Sequence, residues 1–134
     1  MCIWAFRSII IDSRIAKGGP ITPSDAAAIL NKAIKIHNWF IEITWDDPYT
    51  GDDDLHNYWI WWYEQIIALL RGGEAVVSVD DAIEKLKEDA IIHQWYIDNP
   101  QYAVGIYGNV SHHTKWRDRW LAIVILLRSD IEKS

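Results

Sequence analysis

Cysteine and methionine each occur once in this chain, at positions 2 and 1. A lone thiol cannot form an internal disulfide, which makes a reducing cytoplasm the expected location. Basic residues are also short: 13 lysines and arginines face 19 aspartates and glutamates, for a net charge of −6. That balance argues against general nucleic-acid binding, which needs a basic face to displace counterions. No apolar run reaches the ~18–20 residues required to span a bilayer; the longest, from Trp120 to Leu127, suits a buried helix. The opening Met1-Cys2-Ile3-Trp4-Ala5-Phe6-Arg7 has neither a basic start nor a small-residue cleavage site, so no secretory leader is expected. There is no glycine-rich phosphate loop of the Walker or dinucleotide type. No Ser/His/Asp or Cys/His set can be argued either, because the only thiol stands at the extreme end. Proline appears four times and glycine seven, so breaks between elements are few and readable.

What the chain does have is a repeat and a great deal of tryptophan. Ile36-His37-Asn38-Trp39-Phe40-Ile41-Glu42 returns in register as Ile92-His93-Gln94-Trp95-Tyr96-Ile97-Asp98. Upstream, Leu30 meets Leu86, Ala26 meets Ala82, Asp25 meets Asp81 and Thr22 meets Ser78. Downstream, after one small length adjustment, His56 meets His113, Trp59 meets Trp116, Tyr63 meets Trp120, and Ile66-Ile67 meets Ile123-Val124. The repeating unit reads as a helical hairpin: a first helix, a loop, and a second, more hydrophobic helix. The N-terminal segment reads as a further copy of that second helix, with Trp4, Phe6, Ile9-Ile10 and Arg14 set against Trp61, Tyr63, Ile66-Ile67 and Arg71. The repeat fits the tetratricopeptide, ankyrin and HEAT patterns in neither length nor key residues.

Five helices follow from the local signals. The first is expected from Ile3 to Lys17, stopped by Gly18-Gly19-Pro20. The second starts at a Thr22 cap with Pro23 in its first turn and runs to about Trp45. Its apolar residues Ala26, Ile29, Leu30, Ala33, Ile36 and Phe40 recur at three and four. The third runs from near Asp53 to Gly72-Gly73, and the fourth from a Ser78 cap to Asn99-Pro100. Residues 101–110 form a connection before a fifth helix from about Ser111 to Ser129. The whole is expected to be one all-α domain over 1–134: an N-terminal helix (1–19) and two hairpins (20–73 and 74–134) around an aromatic-rich core. The third and fifth helices are apolar on every side, as in Tyr58-Trp59-Ile60-Trp61-Trp62-Tyr63, so part of that surface is expected to be exposed and to mark an interface.

Four sets of residues invite a chemical reading. His37 and His93 occupy equivalent sites; two hairpins packed about a pseudo-two-fold axis would bring them together, where two imidazoles favour a transition metal. A metal needs further ligands, however. Asp53-x-x-His56 has bundle-site spacing but sits at a helix start, and Asp89, four residues before His93, faces Ala33 in the other copy. A hydrogen-bonded structural role is the simpler reading. Asp46, Asp47, Asp52, Asp53 and Asp54 form an acidic surface; set on the EF-hand pattern, Gly51 falls correctly, but Pro48 and Asn57 occupy ligand places, so a solvated turn with capping aspartates is expected. Asp80, Asp81, Glu84, Glu88 and Asp89 have the spacing that holds Mg²⁺ in helical pyrophosphohydrolases, yet Glu64 is the only acid offered by the third helix beyond its start, and Lys85 and Lys87 interleave. Finally, the copies disagree at one place. Asp52 to Asp54 is acidic, whereas the matching stretch carries His112, His113, Lys115, Arg117 and Arg119. Cationic groups at a helix start oppose its dipole, so this stretch, with Trp61 and Trp62, is the expected binding surface for an anion or a protein partner.

These observations lead to a non-enzymatic expectation: a small acidic interaction module, of inhibitor or immunity type, that binds a protein partner or a second copy of itself and needs no cofactor. The alternative is a small-ligand or metal-binding helical bundle centred on His37 and His93.

Overall fold

A computed structural model describes residues 3–43, 53–103 and 109–133. Among them the chain is all-helical, as expected: α1 (Ile3–Ala16), α2 (Pro23–Ile43), α3 (Asp53–Leu70), α4 (Val79–Asp98) and α5 (Val110–Lys133), with one 3₁₀ turn over Pro100–Tyr102. Thr22 and Ser78 stand immediately before α2 and α4. The last helix extends four residues beyond the expected Ser129, since no glycine or proline after it stops the helical ladder.

Two compact units make up the chain. The first hairpin, residues 23–78, is one; residues 1–22 with the second hairpin, 79–134, are the other. In the 23–78 unit α2 packs on α3. The core takes Ala26, Ile29, Leu30 and Ala33 from α2, and Trp59, Tyr63, Ile66 and Ile67 from α3. These recur at three, four and seven, so each helix turns one continuous apolar stripe inward. In the other unit α4 packs on α5, and α1 lies against α5. Ala82, Ile83, Leu86 and Ala90 of α4 are buried, as are His113, Trp116, Trp120, Ile123 and Leu127 of α5. The α5 set has the alternating three-and-four spacing of a close-packed helical seam. Burying an aromatic or aliphatic side chain of this size contributes roughly 1.5–3 kcal/mol, so these stripes are the main stabilising term in each unit.

Glycine ends α1 and α3 in the same way. Gly18 (φ 72°) and Gly72 (φ 69°) take the left-handed conformation. The following amides close the helix: Gly19 N–H donates to Arg14 O at 2.9 Å and Gly73 N–H to Ala68 O at 2.8 Å. A side chain would be strained at either position, hence glycine. This shared cap sets the register of α1 differently from the sequence match, which paired Arg14 with Arg71; by capping, Arg14 corresponds to Ala68. Burial corrects the match as well. Ile9 and Ile10 are exposed, where Ile66 and Ile67 are buried, and among the described side chains of α1 it is Ile11 that turns fully inward. A helix packed along one side buries one narrow stripe, and here the stripe facing α5 passes through position 11.

Candidate functional site

The histidines pair within hairpins. His37 Nδ1 and His56 Nδ1 lie 2.7 Å apart in the 23–78 unit, and His93 Nδ1 and His113 Nδ1 lie 2.7 Å apart in the other. His37 and His93 stand late in their helices, whereas His56 and His113 stand near the start of theirs. Each pairing therefore requires its two helices to run antiparallel. The surroundings match in detail. Ring centroids are 5.0 Å apart in both pairs. Phe40 stacks on His56 with an interplanar angle of 5°, and Tyr96 stacks on His113 at 8°. One turn further along, Trp59 neighbours Tyr63 and Trp116 neighbours Trp120. Within each unit the imidazole partner is thus the histidine on the same hairpin's second helix, a pairing that the equivalence of His37 with His93 did not anticipate.

Geometry decides what such a pair does. Two imidazole nitrogens bound to one tetrahedral ion at ~2.0–2.1 Å would stand roughly 3.3 Å apart. A separation of 2.7 Å is that of a shared proton, with one ring donating N–H and the other accepting. Among the described residues no group of three or more His, Cys, Asp or Glu converges as a metal site. The pairs differ electrostatically. Burial and the neighbouring His56 push the His37 imidazole down to a pKa of about 4. The His93 pair has a carboxylate close by: Asp89 is buried, with its Oδ1 3.5 Å from His93 Nε2, whereas Ala33 holds the equivalent place in α2.

The start of α5 is largely engaged inside its own unit. Asn109 caps the helix, its Oδ1 accepting the His112 N–H at 2.8 Å, and Thr114 Oγ1 donates to Val110 O. His112 Nε2 accepts from Trp116 Nε1 at 2.9 Å. Arg117 donates to Gln94 Oε1 at 2.7 Å and pairs with Asp118. Arg119 is 5 % exposed and grips Asp12 of α1 with two bonds, 3.0 and 2.8 Å. Its guanidinium lies over the rings of Trp4 and Trp116 at 5.3 and 4.7 Å. Of the five basic or imidazole groups expected at a binding surface, Lys115 alone falls in the exposed class. The disagreement between the copies thus has an internal cause: Arg119, where the first hairpin has Trp62, anchors α1 onto α5.

Of the acidic surface, Asp46, Asp47 and Asp52 and the side chain of Asp53 lie outside the described residues, and Asp54 is exposed. Trp61 is exposed and Trp62 half-buried, their rings meeting edge to face at 5.3 Å. On α4, Glu84 and Glu88 pair with Lys87 and Lys85 at the surface. Beside α5 runs a groove of about 530 Å³, lined by Ile15, Ile21, Leu121, Ala122, Ile125 and Leu126 among others.

Sequence reasoning missed the outer side of α4. Ile91 is 69 % exposed and Trp95 49 %, and Tyr102, 61 % exposed, stacks on Trp95 at 5.5 Å. With ~3.6 residues per turn, Ile91 and Trp95 project nearly opposite to the buried Leu86 and Ala90. The signal was present as a second three-and-four stripe on the far face. The inward stripe, which satisfies the same helical period, drew attention from it. The chain matches no family model, no curated protein and no solved structure.

Proposed function

We propose that this chain is a small acidic interaction module that acts by binding another protein, as an inhibitor or regulator, without chemistry of its own. The observation that carries the reading is the outward apolar face of α4, because packing within its unit accounts for the inner face alone. Large apolar side chains held in water on the far side of an already packed helix are characteristic of recognition surfaces. Trp39 and Trp61 in the other unit are exposed in the same manner. The histidine pairs support the reading indirectly: the two rings of each pair bond one another and one of them, His56 or His113, stacks on an aromatic ring, as in a structural lock between two helices.

The test is site-specific photo-crosslinking in the cells that make the protein, with the probe at position 39, 61 or 95 and a control at exposed Glu74. A single protein adduct from an aromatic position, reconstituted from purified components at fixed stoichiometry, is the expected result. Absence of an adduct at all three aromatic positions, with catalytic turnover by the purified chain, would overturn the reading.

A further inference from the structure

We infer that the outward stripe of α4 docks a basic amphipathic helix of a partner protein. The proposal rests on the interaction reading above and names the chemistry of the partner. Asp81, Glu84, Glu88, Ile91, Trp95 and Asp98 recur at alternating spacings of three and four, which places them on one face. That face is acidic over its first half, apolar at Ile91 and Trp95, and ends on one further carboxylate, Asp98. Ile91, Trp95 and the stacked Tyr102 form the apolar platform. From Asp81 to Asp98 it extends roughly 26 Å, the length of a helix of about 17 residues.

Charge selects the occupant. Helix α4 holds six carboxylates (Asp80, Asp81, Glu84, Glu88, Asp89, Asp98) and two lysines, a net of −4 within a chain of −6. The two lysines bridge Glu84 and Glu88 from the flanks at 3.5 and 2.9 Å, and the carboxylates themselves stay open to a partner's cations, at 74 % and 54 % side-chain exposure. No basic residue stands in the stripe itself. A second copy docked through the same face sets Glu84 on Glu84 when parallel and Asp81 on Asp98 when antiparallel, so like charges oppose that pairing. An anionic membrane or nucleic acid is repelled for the same reason. A helix with apolar residues at the same spacing and lysine or arginine along one half satisfies both halves of the stripe.

Three helical peptides of about 17 residues test this: a lysine–leucine peptide with leucines at the three-and-four spacing, its scrambled sequence, and a glutamate–leucine isostere. Each is titrated against the full-length chain by fluorescence anisotropy of a label on the peptide. The patterned basic peptide should bind best. Trp95→Ser should weaken it by about tenfold or more. Glu84→Lys/Glu88→Lys should abolish binding, and raising salt to ~0.5 M should weaken it strongly. Circular dichroism confirms that each variant stays folded, and Glu74→Lys is a control at an exposed site off the stripe. Equal binding of the scrambled or acidic peptide, or binding that survives both sets of α4 changes, overturns the proposal. So does a dimer of the chain alone that Trp95→Ser dissolves, which would identify a second copy as the occupant. Crosslinking at position 39 or 61 without peptide binding at α4 also overturns this inference, while leaving the interaction reading intact.

Discussion

Lowering the pH from 7.5 to 5 should cost this protein about 2 kcal/mol of stability through His37 alone. The imidazole is largely covered beside Tyr63, whose ring centroid is 5.6 Å away, and bonded to His56 at 2.7 Å. Burial first, and the charge of His56 second, lower its pKa from 6.5 to about 4. The sign follows from proton counting. Above pH 6.5 neither state holds the proton and His37 contributes no pH dependence. Below 6.5 the unfolded chain takes up a proton that the folded chain refuses, so stability falls by about 1.4 kcal/mol per pH unit. The loss levels off below pH 4 at about 3 kcal/mol, once both states are protonated. The assay is urea unfolding of the wild-type chain and of His37→Gln, which keeps a polar side chain but does not titrate. Between pH 7.5 and 5 the wild type should lose about 2 kcal/mol more than the variant. Equal losses in the two proteins, or an NMR titration placing the His37 midpoint at or above 6.5, would refute the reasoning.

Four further substitutions have defined expected outcomes. Arg119→Leu leaves Asp12 without its bidentate partner and removes the cation stacked between Trp4 and Trp116; it should cost about 3 kcal/mol and raise hydrogen exchange throughout α1 in mass-spectrometric measurements. Gly72→Ala should cost about 1 kcal/mol in urea unfolding, all of it backbone strain, because an added Cβ meets nothing within 4 Å at φ +69°. Ile123→Ala removes a fully buried side chain from the α5 seam and should cost about 3 kcal/mol, whereas Trp95→Ser, which loses the ring contacts with Tyr96 and Tyr102, should cost about 1 kcal/mol in the same assay.

Sequence by itself determined the local elements. The three-and-four spacing of Ala26, Ile29, Leu30 and Ala33, the Gly18 and Gly72 stops, and the position of Pro23 are helix signals written within a few neighbouring residues. For that reason the helix bounds came out within a few positions. The equivalence of His37 with His93 and of His56 with His113 was legible too, since it needs nothing but comparison of the chain with itself. Tertiary structure decided which members of that set meet. Contact depends on helix direction and separation, and within each antiparallel hairpin these join His37 to His56 and His93 to His113. The same holds for Arg119. Its charge looked like a surface feature because its partner, Asp12, lies 107 positions away. Only the placement of α1 against α5 turns that charge inward. Ile91 and Trp95 show the converse. Their pattern satisfies a helical period as well as any core residue does, and only the packing of α4 on α5, which uses the opposite stripe, leaves them facing water. A helical period tells which residues share a face; the neighbouring helix determines which face is buried.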